Sequence, residues 1–242
     1  MREGFFKEDE ILYHLNNHKI KELNNNLRYV MKVLYGPLDN EEVVTCEKTT
    51  GFIKPDIIIT YKGIKKAVSI KSGKSEFIHE GWVKDIVLYL RSLGVSKNTQ
   101  KAILLYQYGD GTLDGSGEPM EFAKVRYLYD DIVREANKEL NKDRDFVVSV
   151  VSHLMFLGNK ENAILVDAIY HGDYEFGVIA TREQIIAHLK EKSYKYISTL
   201  HIGPIQLRPH SRNICKNPDR RNKTICYWAR LLADIEYIAK RY

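Results

Sequence analysis

Two short segments hold the residue types that phosphate chemistry needs. Lys54-Pro55-Asp56-Ile57-Ile58-Ile59 places an acid at the head of an apolar, β-branched run, and Val68-Ser69-Ile70-Lys71-Ser72-Gly73 places a lysine at the tail of the next. Tyr61-Lys62-Gly63 reads as a turn between them, so the two runs form a hairpin. Chain direction reverses across a hairpin, which lets Asp56 and Lys71 share one end of the sheet. A carboxylate there can hold a divalent cation. A lysine beside it can orient or deprotonate a water and neutralise charge developing on a phosphate.

This constellation resembles the PD-(D/E)xK nuclease superfamily, which includes many restriction endonucleases. Pro55-Asp56 matches the motif's Pro-Asp, and Lys71 matches its lysine. The order helix, strand, hairpin, helix, strand over roughly residues 8–107 is also similar to that family's core. Ser69 stands where the family has its second acid, and serine is a poor ligand for Mg²⁺. A branch of the restriction enzymes has a similar Ser-x-Lys, with the acid moved to the next helix. Here that helix is expected from Ser75, its N-cap, to about Leu93. Glu76, Glu80, Val83, Val87 and Leu90 fall on one face of it. The three apolar residues should face the sheet, which makes Glu80 the expected replacement acid and Glu76 the second choice. Glu22, and more weakly Glu47, are candidates for a further acid, and His79 for a phosphate contact or auxiliary base. Each residue also has a plain reading: Asp56 starts a strand, Lys71 closes one, and Glu80 pairs with Lys84 at i, i+4.

The resemblance implies a Mg²⁺-dependent DNA endonuclease of type II restriction-like character, with Mn²⁺ as a substitute metal. Asp56, Glu80 and the backbone carbonyl of Ile70 would hold the metal, and Lys71 would position the attacking water. The substrate would be double-stranded DNA, and cleavage at a palindrome would call for a homodimer. Two alternatives stay open: a non-specific or structure-specific nuclease of repair or defence, and an inactive nucleic-acid-binding module that lost the acid at Ser69.

Helical spacing of apolar residues predicts a helix over 8–34, with a break around Asn16-Asn17 and a stop at Gly36-Pro37. Strands are expected over Glu42–Thr49, Ile57–Tyr61, Lys66–Lys71 and Ala102–Tyr106. A glycine-rich loop, read as mobile, spans Gly109–Gly117, and a helix runs from Pro119 to about Asn141. Further on come a hairpin across His171-Gly172-Asp173, a helix capped by Thr181, strand-like residues over Tyr196–Leu207, and a final helix over Tyr227–Tyr242. The fold class is therefore α/β: a mixed central sheet flanked by helices, with a C-terminal α/β extension. Residues 1–144 read as a catalytic core and 145–242 as a candidate recognition part.

The 242 residues are 44% hydrophobic and 29% charged, an ordinary globular composition. No apolar run is long enough to span a bilayer, and the early charges exclude a signal peptide, so a cytoplasmic protein with no membrane association is expected. Cys46, Cys215 and Cys226 are too few and too widely spaced for a disulfide frame. The net charge of +5 is concentrated in two islands, Lys54–Lys74 and Arg208–Lys223. Lys74, Gln206, Arg208, His210 and Arg212 are the candidate DNA contacts, because Arg and Gln pair with guanine and adenine edges. His210, Cys215 and Cys226 form a weak candidate zinc set whose spacing matches no standard finger. No P-loop, nucleophile elbow or calcium-loop pattern occurs.

Overall fold

The computed structural model describes residues 3–51, 54–73, 76–157, 163–195, 199–210 and 218–241. It is α/β, with a six-stranded mixed sheet, a second four-stranded sheet and flanking helices. The chain divides into two compact units that interleave along the sequence. Residues 1–76, 155–188 and 230–242 make the first, and residues 77–154 and 189–229 make the second. The sequence reading instead divides the chain once, at residue 144. No described helix is long and apolar enough to cross a membrane.

The first unit opens with α1 (Glu3–Leu15), β1 (His18–Lys19), a 3-10 turn (Ile20–Glu22) and α2 (Asn25–Tyr35). The expected break falls at Asn16-Asn17, where Asn17 adopts a φ of 61°. Asn24 then caps α2 by accepting a hydrogen bond from the Leu27 N–H at 2.8 Å. The sheet is built from β2 (Val43–Lys48), β3 (Ile57–Tyr61), β4 (Ile64–Lys71), β6 (Ala168–Gly172) and β7 (Gly177–Thr181), in the order β1-β2-β3-β4-β6-β7. Alternation sends Val44, Cys46, Ile57, Ile59, Val68 and Ile70 to one face, where Ile11, Leu15, Leu27 and Met31 of the two helices cover them. Ser69 and Lys71 belong to the other row of β4.

The β3–β4 hairpin pairs in the expected way, Ile57 opposite Val68. β4 and β6 run parallel, with Val68 opposite Ala168 and Lys71 opposite His171. Asp167 fixes that register. Its backbone N–H donates to the Ala67 carbonyl at 2.7 Å, and its carboxylate accepts from the Ala67 N–H at 2.9 Å. The hairpin from β6 to β7 turns at Gly172, whose φ is 153°; a Cβ there would stand 2.2 Å from the Phe176 carbonyl oxygen. α9 (Leu231–Arg241) packs on β7 through a buried stripe of Leu231, Ile235 and Ile238.

The second unit holds β5 (Phe77–Trp82), α3 (Val83–Ser92), α4 (Lys97–Tyr108), α5 (Phe122–Leu140), α6 (Arg144–Ser152), β8 (His201–Ile202), β9 (Ile205–Pro209), α8 (Pro218–Arg221) and β10 (Lys223–Trp228). α7 (Arg182–Glu191) begins after Thr181, as the sequence predicts. The antiparallel sheet is ordered β5-β10-β9-β8.

Three expectations are corrected here. Residues 77–82 are a strand, not the first turns of a helix: Gly81 is a poor helix residue, and β10 offers a pairing partner that the sequence does not show locally. Residues 102–106 are helical, because Thr99, Ala102, Ile103 and Tyr106 form a buried stripe at helical spacing behind a Ser96 N-cap. A short apolar run does not by itself distinguish these states. Finally, Tyr227 and Trp228 end a strand, and Arg230, at φ 70°, separates it from α9.

The Gly109–Gly117 loop is tied together rather than left loose. The side chain of Asp110 is fully buried and accepts from Thr112 N (2.8 Å), Thr112 Oγ1 (2.9 Å), Gly117 N (3.0 Å) and Arg221 Nη2 (2.6 Å). Arg221 also donates to the Gly117 carbonyl at 2.7 Å.

Candidate functional site

In the first unit, Asp56 lies immediately before β3, and its backbone N–H donates to the Val68 carbonyl at 2.9 Å. Its Oδ2 accepts from Ser69 Oγ at 3.0 Å and from the Ile70 N–H at 2.5 Å. Ser69 is only 3% exposed. The Ser69 hydroxyl is therefore a donor that orients the Asp56 carboxylate. Lys71, half-buried, is the next residue after this clasp and ends β4. The structure thus brings the Asp56 carboxylate to the residues directly before Lys71. Thr49 supports the approach: its Oγ1 donates to the Pro55 carbonyl at 2.5 Å, and its N–H to the Asp56 carbonyl at 3.1 Å.

A second acid comes from a residue that sequence reasoning overlooked. Glu8 sits on α1, three residues before the buried Ile11, and Lys48 meets it at 3.3 Å. Burial raises the Glu8 pKa, the nearby Asp56 carboxylate raises it further, and Lys48 opposes both. The available signal was position: Glu8 shares a helical stripe with Ile11 and Leu15. His171 is the other overlooked neighbour. It lies opposite Lys71 in the parallel register and is 5% exposed, and its Nε2 has no hydrogen-bond partner among the described residues. Burial lowers its pKa; its own backbone and Glu236 push up, while Lys71 and Lys7 push down.

The other acids nominated from sequence are engaged elsewhere. Glu22 accepts from the Lys19 N–H at 2.8 Å and closes the 3-10 turn. Glu47 pairs with Lys65 at 3.3 Å, and Glu76 accepts from the Arg230 N–H at 2.8 Å. The helix-face argument for Glu80 fails, because Glu80 lies on β5 in the second unit. There it pairs with Lys223 at 2.8 Å and approaches His210 Nδ1 at 3.5 Å, contacts that hold its pKa down against the opposing effect of burial. Among the described residues its ion-pair partners are Lys223 and His210 rather than Lys84.

In the second unit, Gln206, Arg208 and His210 alternate along one row of β9 and beyond it. Arg208 Nε donates to Gln206 Oε1 at 3.1 Å, Nη2 donates to the same oxygen, and the guanidinium lies 5.1 Å over the Tyr227 ring. Lys223, Tyr227, Phe77 and Trp82 join this row through direct pairing on β10 and β5. Sequence reasoning missed these four as one row because β5 and β10 lie some 140 residues apart in the chain. His79 lies opposite Cys226.

Cys46 and Cys226 are free and buried. Cys226 occupies the row of β10 opposite to the one shared by Lys223 and Tyr227, so it does not join His210 as a zinc ligand. Lys74, Arg212 and Cys215 lie outside the described residues. In the first basic island, Lys62, Lys65 and Lys66 pair with Asp39, Glu47 and Asp167.

No three His, Cys, Asp or Glu side chains cluster as metal ligands among the described residues. Asp56 and Glu8 supply two carboxylates in the first unit. That set suits Mg²⁺, which takes one or two carboxylates and keeps several waters. Compared with known proteins, the chain matches no family model and no curated relative.

Proposed function

We propose that the chain is a Mg²⁺-dependent endonuclease that hydrolyses phosphodiester bonds of double-stranded DNA. The observation that carries this reading is the Asp56 carboxylate, clasped by Ser69 and the Ile70 N–H directly before Lys71, with Glu8 held by Lys48 of the neighbouring strand, the residue opposite Ile57. Asp56 and Glu8 would hold the metal together with the Ile70 carbonyl. Glu8 takes the place that the sequence reading gave to Glu80, which is committed to Lys223.

Bound Mg²⁺ supplies Lewis-acid stabilisation of the charge that builds on the phosphate. Lys71 orients the attacking water and adds positive charge beside the phosphate oxygens. The water oxygen bonds to phosphorus as the bond to the leaving oxygen breaks, so no covalent enzyme intermediate is needed. The Ser69 hydroxyl and Ile70 N–H keep the Asp56 carboxylate from rotating away. Arg208 and His210 are the proposed DNA contacts in the second unit, with the buried Gln206 holding the Arg208 guanidinium rather than reading a base, and Lys74 and Arg212 completing the set. Cleavage at a palindrome would require a homodimer.

Incubating supercoiled plasmid with the protein and Mg²⁺, beside an EDTA control and the Lys71→Ala and Asp56→Asn variants, tests this reading. Discrete bands lost in all three controls are the expected result. A metal-dependent smear would keep the chemistry and remove the sequence specificity. Wild-type cleavage by either variant would overturn the assignment, and intact plasmid throughout would favour the inactive binding module.

A further inference from the structure

The exposed face of the second sheet has a composition that paired DNA does not explain. Strand alternation divides the two tryptophans of the chain: Trp228 is 1% exposed on one side of β10, and Trp82, on β5, is 43% exposed in the row opposite Lys223. Phe77 is 36% exposed and lies opposite Tyr227; their rings meet edge to face at 6.4 Å and 83°. Three aromatic side chains thus share one sheet face, two of them at large exposure.

The polar groups on that face are prearranged. Gln206, buried, holds the Arg208 guanidinium by two hydrogen bonds to one oxygen, and Tyr227 supports its plane at 5.1 Å. Arg208 itself is exposed, with three N–H donors left for an outside acceptor. Lys223 adds a second cation, paired with Glu80 at 2.8 Å, and the His210 imidazole lies 3.5 Å from the same carboxylate. Cations aligned with exposed rings fit a ligand that carries phosphates and flat faces together. In a duplex the base faces are already stacked on one another. An unpaired strand offers both.

We infer that the face carrying Phe77, Trp82, Arg208 and Tyr227 binds unpaired nucleotides, stacking bases on its rings and pairing phosphates with its cations. Binding of this kind needs no metal and no cleavage, so it is tested apart from the proposed hydrolysis; it reassigns Arg208 from a duplex contact to a contact with an unpaired strand.

The test uses the 242-residue chain in EDTA, with fluorescein-labelled short oligonucleotides as single-stranded DNA, single-stranded RNA and blunt DNA duplex, read by anisotropy. At least one single strand should bind ten-fold or more tighter than the duplex, and the better of the two identifies the sugar. Phe77→Leu and Trp82→Leu should each weaken that binding by about five-fold or more, the loss of one stacked base. Both side chains are exposed, so the variants should fold. In the unmodified protein the same strand should also quench the Trp82 emission, leaving the buried Trp228 signal that a Trp82→Leu control isolates. Equal or tighter duplex binding, or wild-type affinity in both ring variants, would overturn the inference.

Discussion

Ser69→Ala removes the hydroxyl that donates to Asp56 Oδ2 at 3.0 Å and leaves the Ile70 N–H at 2.5 Å in place. A hydrogen bond to a charged acceptor contributes about 1.5–3 kcal/mol. One donor survives and the methyl group fits the vacated space, so the lower half of that range applies, about 1.5–2 kcal/mol. The loss falls on the β3–β4 hairpin, where hydrogen-exchange mass spectrometry of peptides covering 57–71 can read it locally. At 1.4 kcal/mol per ten-fold, protection of those amides should drop by roughly 10- to 30-fold. Trp82 and Trp228 both belong to the second unit, so their fluorescence should not move. Protection unchanged within about two-fold would show that the hydroxyl adds nothing over water, and Ser69 would lose its role as the clasp of Asp56. The companion Ser69→Asp variant restores the motif's acid but presses two carboxylates together. In EDTA it should be less stable than Ser69→Ala, and it should recover when Mg²⁺ is added. Equal stability with and without the metal would count against a cation at Asp56.

Glu8→Gln should stabilise the protein near pH 7. The raised pKa of Glu8 means that its ionised form is disfavoured in the fold, so the gain should shrink as pH falls towards 4.5, the ordinary value of the group. The same variant should lose most of any rise in thermal midpoint caused by Mg²⁺, measurable by scanning fluorimetry. His171 has a lowered pKa, so the unfolded chain binds its proton first, and stability should fall as pH drops below about 6.5; His171→Phe should flatten that part of the urea-midpoint profile. Arg221→Met leaves the fully buried Asp110 carboxylate without its cation. Removing one partner of a buried pair costs about 3–5 kcal/mol, and limited proteolysis should then cut within residues 109–117.

The legible parts of the sequence were those whose signal is local. The Pro55-Asp56 to Lys71 hairpin, the break at Asn16-Asn17 and the capping Thr181 each depend on neighbours within a few residues, and each appears where it was read. The misreadings involve distant partners. Phe77–Trp82 becomes a strand because β10 pairs with it, and Tyr227-Trp228 joins that strand pair for the same reason. The site follows this division. Asp56 and Lys71 come together through one turn, whereas Glu8 meets Lys48 of the neighbouring strand by packing of α1, and His171 comes opposite Lys71 through a parallel crossover. The Ser69 departure from the motif was visible, but its use as a donor to Asp56 was not, because that depends on where the aspartate's oxygen lies.

The parallel pairing of β4 with β6 has a consequence for synthesis on the ribosome. Val68 is made one hundred residues before its partner Ala168. At 5–20 residues per second, β4 waits roughly 5–20 s with an open hydrogen-bonding edge. Such an edge invites pairing with a neighbouring nascent chain. Lys65 and Lys66 at its start give it a charged guard, and Asp167 later closes on Lys66 and Ala67 as β6 arrives. A fragment ending at residue 144 would keep the edge and lack the closure. It should therefore depend on chaperones, or self-associate, although it contains the whole Asp56–Lys71 hairpin.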